Sequence, residues 1–117
     1  MTKQAFYLKT CDTCKRILKE IDTTGFELFE IKSTPITEEQ LEKMRSLTDS
    51  YESLFNKRAK KYTAEKMKEQ NLQEDDYKKL ILEEYTFLKR PVFIIGDKIF
   101  IGNSKKNIEA LKAYLNS

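Results

Sequence analysis

Histidine is absent from the 117 residues, and cysteine occurs only twice. Without histidine there is no Ser-His-Asp or Cys-His catalysis, and the imidazole ligand of most zinc sites is missing. Two thiols alone cannot complete an all-cysteine tetrahedral metal site, so no metal is expected. Glycine occurs three times and proline twice, which suits a helix-rich chain and excludes a loop-rich or low-complexity one. The longest unbroken apolar runs are residues 5–8 and 92–95, far short of the ~20 residues of a membrane span. The opening Met-Thr-Lys-Gln-Ala-Phe-Tyr has neither a long apolar stretch nor a small-residue cleavage site. The chain is therefore read as cytoplasmic, with no secretory signal and no membrane partner.

Charged residues make up 35% of the chain and hydrophobic residues 39%, whereas a charged share of about 25% is usual. The net charge of +3 is compatible with an anionic ligand or an acidic partner but too small to indicate direct nucleic-acid binding. The length suits one domain with a single modest core, burying ~65% of the surface of the unfolded chain. No exposed apolar stripe stands out, and a monomer is expected.

Periodicity orders the elements. Residues 5–8 read as a buried strand. Cys14, Ile17, Leu18 and Ile21 recur at i, i+3, i+4 and i+7, one face of a helix, with Gly25 placed to end it in the left-handed conformation. A second strand follows, with Phe26 and Leu28 on one face and Phe29 and Ile31 on the other. A helical crossover between two strands of one sheet makes them parallel and right-handed. The middle, about 34–89, reads as a helical lobe. Thr37-Glu38-Glu39-Gln40 has the capping-box form, followed by Leu41, Met44 and Leu47. Two more helices are predicted over 63–70 and 75–85. Residues 50–62 have no clear assignment, beyond burial of Leu54 and Phe55 and exposure of 57–61. At the end, Arg90-Pro91 breaks the helix, and 92–95 is a buried strand. Gly96-Asp97 turns into a returning strand over 98–101. A last helix, capped by Asn103 or Ser104, carries Ile108, Leu111 and Leu115. This order, βαβ, helices, then ββα, is the α/β arrangement of a thioredoxin-like fold with a central helical insertion.

Cys11-Asp12-Thr13-Cys14 lies after the first strand, at the start of the first helix. A helix N-terminus offers unpaired N–H groups and a partial positive charge, both favouring a thiolate at Cys11. Lys9, Lys15 and Arg16 add positive charge nearby. One helical turn returns Cys14 beside Cys11, within disulfide reach. Cys14 falls on the apolar face and is expected to be the buried, resolving thiol, with Cys11 the exposed nucleophile. In a fold of this kind, a cis-proline at Pro91 would lie against the cysteine pair, and Arg90 would face the thiolate or an oxyanion. The basic run at 57–61, Lys-Arg-Ala-Lys-Lys, reads chiefly as a solvated face, with an anion- or partner-binding patch as the alternative.

Three stretches together carry a resemblance: Cys11-Asp12-Thr13-Cys14-Lys15, the tract 54–62 from Leu54-Phe55-Asn56 to Tyr62, and Leu88-Lys89-Arg90-Pro91-Val92 with the hairpin behind it. Over nearly its full length the chain resembles the arsenate reductase (glutaredoxin-linked type) and Spx family of thioredoxin-like proteins. The resemblance implies a catalytic Cys11 that attacks arsenate, with glutathione, glutaredoxin or thioredoxin as external reductant and no bound cofactor. It also implies three arginines around the oxyanion. Arg90 matches one of them. The middle position falls on Asn56, with Arg58 close by, and the late one on Ile101 or Gly102. Lys15 is a further candidate for oxyanion binding. A single forked guanidinium with lysines makes a weaker cradle than three. The second cysteine suits a reductase of arsenate or of protein or glutathione mixed disulfides that resolves through Cys14. It equally suits an Spx-like redox sensor that binds RNA polymerase.

Overall fold

The structure, a computed structural model, describes residues 2–116. Strand β1 (Lys3–Tyr7), helix α1 (Asp12–Glu20) and strand β2 (Glu27–Glu30) open the chain. Helices α2 (Glu38–Ser46), α3 (Lys60–Ala64) and α4 (Glu74–Glu83) follow, with 3-10 turns at Glu52–Leu54, Met67–Gln70 and Tyr85–Phe87. Strands β3 (Val92–Ile95) and β4 (Lys98–Ile101) and helix α5 (Lys105–Leu115) close it. Two compact units result. One runs to Thr34 and resumes at Arg90, and the other is Pro35–Lys89.

The first unit holds a four-stranded sheet in the order β2-β1-β3-β4. β1 and β2 are parallel, as the intervening helix requires, while β3 runs antiparallel to both β1 and β4. This is the mixed α/β, thioredoxin-like arrangement read from the element order. β3 is central, and all four of its residues are buried, which explains its continuous apolar run. Ala5, Phe93 and Ile95 cluster with Ile17 of α1 and with Ile108 and Leu111 of α5. On the other face, Phe6 stacks on Phe29 at 4.9 Å between ring centroids. Leu28, on the edge strand, is 48% exposed.

One local expectation in this unit needs correction, and one open choice is decided. α1 stops at Glu20, with Ile21 already extended, so Gly25 does not cap it. Gly25 instead takes φ +84° in the turn closed by Phe26 N–H to Thr23 C=O (3.0 Å), a conformation natural to glycine. The last helix is capped by Ser104, whose side chain accepts from Asn107 N–H.

In the second unit the capping box forms as expected. Thr37 Oγ1 accepts from Gln40 N–H (3.0 Å), and Gln40 Oε1 accepts from Thr37 N–H (2.9 Å). Leu41 and Met44 are fully buried. The continuous helix expected over 63–70 is not found. α3 ends at Ala64, and Lys66 turns left-handed at φ 53° before a separate 3-10 turn. That stretch has one buried apolar anchor, Met67. A regular helix there would have no apolar face to hold it, and the break turns Met67 inward. The α4 helix ends at Glu83, leaving Tyr85 in the following 3-10 turn. The unassigned tract 50–62 is ordered by a short antiparallel pairing of Phe55 with Leu88. Its bonds run from Asn56 N–H to Phe87 C=O (2.7 Å) and from Lys89 N–H to Leu54 C=O (2.8 Å). Phe55 is the centre of this unit's core, with the Tyr62, Tyr77 and Phe87 rings 4.9–5.8 Å away. Among the described residues, no helix is long and apolar enough to cross a membrane.

Candidate active site

The chain leaves β1 through a turn closed by Cys11 N–H to Leu8 C=O (3.0 Å) and enters α1 with Cys11 as N-cap. Cys11 has extended backbone angles, φ −94° and ψ 111°, as an N-cap residue should. Its side chain closes no regular capping hydrogen bond, but the N–H groups of Thr13 and Cys14 at the head of the helix still act on the sulfur. Cys11 is partly exposed and Cys14 is fully buried. The two cysteines are reduced and approach to 3.5 Å.

The thiols are pushed in opposite directions. Burial raises Cys11, but the backbone N–H of Cys14, the Cys14 thiol, the Arg90 charge and the N–H of Thr13 outweigh it. They hold Cys11 below the ordinary thiol value. For Cys14, burial dominates and pushes the thiol up to about 12. Donating its proton to Cys11 and facing the Cys11 charge raise it further, while the Leu8 N–H and Arg90 pull the other way. A lowered thiol on the accessible sulfur beside a raised one on the buried sulfur is the division of labour a dithiol site needs.

Arg90 precedes β3, and the Arg90–Pro91 peptide is cis. Its guanidinium is the positive charge that acts on both sulfurs. The carbonyl of Pro91 accepts from Gly102 N–H (2.9 Å), and Asn107 Nδ2 donates to the Gly102 carbonyl (2.8 Å). The connection before β3 is thereby tied to the end of β4 and the start of α5.

Sequence reasoning missed Glu30. This last residue of β2 accepts from Lys9 N–H through Oε2 (2.8 Å) and from Ser33 N–H through Oε1 (2.6 Å). A lone glutamate at a strand end carries no sequence signal. Only the parallel pairing of Tyr7 with Glu30 brings it to the loop before Cys11.

A sequence model of the ArsC family matches residues 6–111. The chain belongs to the ArsC family. Solved structures share its fold. An ArsC family related protein from Bacteroides fragilis is 20% identical, with a TM-score of 0.78 over 96% of this chain and 100% of that one. The arsenate reductase from Vibrio cholerae is 12% identical, with a TM-score of 0.77 over 98% of each chain. A Staphylococcus aureus protein solved by NMR is 27% identical, with a TM-score of 0.73 over 93% of this chain and 97% of that one. The comparison with curated protein sequences returned no match.

The ArsC resemblance also nominated Asn56, Arg58 and Lys15. Lys15 is an exposed residue of α1. Asn56 and Arg58 belong to the Pro35–Lys89 unit, whereas Cys11, Cys14 and Arg90 belong to the other. The Asn56 amide is engaged within its own unit, accepting from Arg58 N–H (3.1 Å) and donating to the Thr86 carbonyl (3.2 Å). Of the basic run, Lys57 pairs with Glu52, Lys61 pairs with Glu84 at 2.7 Å, and Ala59 is buried. Two of its cations are thus balanced locally. Among the described residues, no three of His, Cys, Asp and Glu gather to hold a metal.

Proposed function

We propose that the chain is a thiol-dependent oxidoreductase of the arsenate-reductase type, with Cys11 as nucleophile and Cys14 as resolving thiol. The observation that carries this reading is the pair itself: a depressed, accessible Cys11 3.5 Å from a buried, protonated Cys14, with the charge of Arg90 acting on both. ArsC membership supports the substrate class.

The Cys11 thiolate attacks arsenic(V), forming an S–As bond as one arsenate oxygen leaves as water. Arg90 balances the charge of the oxyanion and of the thiolate before it. Cys14 then attacks the Cys11 sulfur. The S–As bond breaks, its electron pair stays on arsenic, arsenite leaves, and the two cysteines become a disulfide. An external dithiol such as thioredoxin, or glutathione with glutaredoxin, returns them to thiols. Two of the influences that keep Cys14 protonated come from Cys11, namely its acceptance of the Cys14 proton and its charge. Both vanish once Cys11 is covalently bound, so Cys14 gives up its proton more readily after the first bond has formed, although its burial remains.

The test is a single turnover. Reduced protein is mixed with arsenate and no reductant, arsenite is assayed, and the intact mass is measured. About one arsenite per chain and the loss of two hydrogens are expected. Cys11→Ser should abolish both products. Cys14→Ser should release arsenite only when an external thiol is supplied, and with glutathione disulfide it should trap a mixed disulfide. Oxidation by glutathione disulfide but not by arsenate would instead identify a disulfide reductase. Neither reaction, combined with redox-dependent capture of RNA polymerase, would identify a regulator.

A further inference from the structure

The turn at residues 8–11 delivers Cys11 to the N-terminus of α1, and its closing bond is Cys11 N–H to Leu8 C=O. The Lys9 N–H takes no part in that bond. It extends beyond the last β1–β2 pair, Tyr7 with Glu30, where Ile31 N–H to Tyr7 C=O (3.0 Å) continues the parallel ladder. Glu30 Oε2 fills the position by accepting from Lys9 N–H at 2.8 Å. Its other oxygen accepts from Ser33 N–H at 2.6 Å, inside the turn closed by Thr34 N–H to Glu30 C=O (3.0 Å). One carboxylate thus ties the connection leaving β1 to the connection leaving β2. Both bonds are charge-assisted and stronger than neutral ones.

We infer that Glu30 is a positioning residue for the Cys11 thiolate, acting through the backbone of Lys9. The inference rests on Cys11 being the nucleophile. Cys11 depends on the aim of the Cys14 and Thr13 N–H groups and on the titratable and charged groups facing it, the Cys14 thiol on its own helix and the Arg90 cation from the chain before β3. Those directions are set where the chain turns from Lys9 into the helix. A turn freed of its tether samples orientations in which the N–H groups no longer converge on the sulfur. The carboxylate is itself held ionised: partial burial would raise it, but the N–H groups of Lys9, Ser33 and Lys32 bring it below its ordinary value. The tether therefore stays formed at any pH above the ordinary carboxylate range.

The experiment is the rate of Cys11 alkylation against pH, followed by mass in the full chain. In Glu30→Ala the midpoint should rise by roughly half a pH unit, slowing alkylation about threefold at a fixed pH below it. The limiting rate at high pH should not change. Glu30→Gln preserves the shape but sets an amide N–H₂ against one of the two backbone donors. It should shift the midpoint less, and it carries the test if the alanine variant does not fold. Thr37→Ala, which removes the α2 cap in the other unit, controls for lost stability and should leave the profile in place. An unchanged midpoint in both Glu30 variants, or an equal shift in Thr37→Ala, overturns the inference. A wild-type Cys11 that titrates like a free thiol would overturn the nucleophile reading itself, a separate outcome.

Discussion

Cys14 lies 3.5 Å from Cys11, and each sulfur shifts the proton affinity of the other. The partly exposed thiol is lowered by its buried neighbour, and the buried thiol is raised by its charged one. The pair is therefore asymmetric before any substrate arrives, and the asymmetry has consequences for stability as well as chemistry.

Stability of the reduced protein should fall on the alkaline side. With Cys14 pushed up to about 12 by burial, both the folded and unfolded chains keep that proton below about pH 9. Between there and about 12 the unfolded thiol ionises while the folded one does not, so stability declines as pH rises, by as much as a few kcal/mol. Lys57, Lys61 and Lys78, each raised by hydrogen bonds to glutamates, act in the same direction. Cys11, held low, has the opposite sign and adds stability as pH rises toward the ordinary thiol range. Denaturant unfolding at a series of pH values should show this decline, and Cys14→Ala should flatten it.

Arg90 should matter through its charge. Arg90→Gln is expected to raise the alkylation midpoint of Cys11 by up to about one pH unit, because a cation that lowers it is lost. Arg90→Lys should keep most of that effect. If the guanidinium fork also holds the oxyanion, the lysine variant should lose arsenate turnover while its thiolate remains low. Arsenite production and alkylation, measured on the same variants, separate the two roles.

Lys66→Gly should stabilise the protein. Lys66 adopts φ 53°, where a side chain costs about 1–2 kcal/mol and glycine does not. After the greater freedom of glycine in the unfolded chain is subtracted, a gain of roughly 0.5–1 kcal/mol is expected. The urea midpoint is the measurement, and a loss of stability would show that Lys66 makes contacts worth more than its backbone cost.

Phe55→Ala should destabilise by about 3–5 kcal/mol, the cost of a large cavity in a packed aromatic cluster. The side chain is 1% exposed and touches three other rings. Calorimetry would detect the change as a large drop in Tm.

The strands, the first and last helices, the α2 capping box and the hairpin at Gly96 were all legible in the sequence, because each rests on local spacing or a local cap. So was the placement of a cysteine pair at a helix start. The tract 50–62 was not, since its order comes from the pairing of Phe55 with Leu88, 33 residues away along the chain. The break at Lys66 was hidden because periodicity cannot tell a helix from a stretch with one anchor. The polar residues of 57–61 gave no sign that Lys57 and Lys61 would each meet a glutamate.

The sequence by itself determined the α/β order and the two thiols at the head of α1, for which a period and a spacing suffice. Only the tertiary structure decided that Cys14 would be buried deeply enough to keep its proton. It likewise decided that Arg90, 79 residues beyond Cys11, would act on both sulfurs, and that Glu30 would hold the loop before them. These depend on strand pairing across the sheet, which brings distant residues together and sets desolvation and charge at the same point.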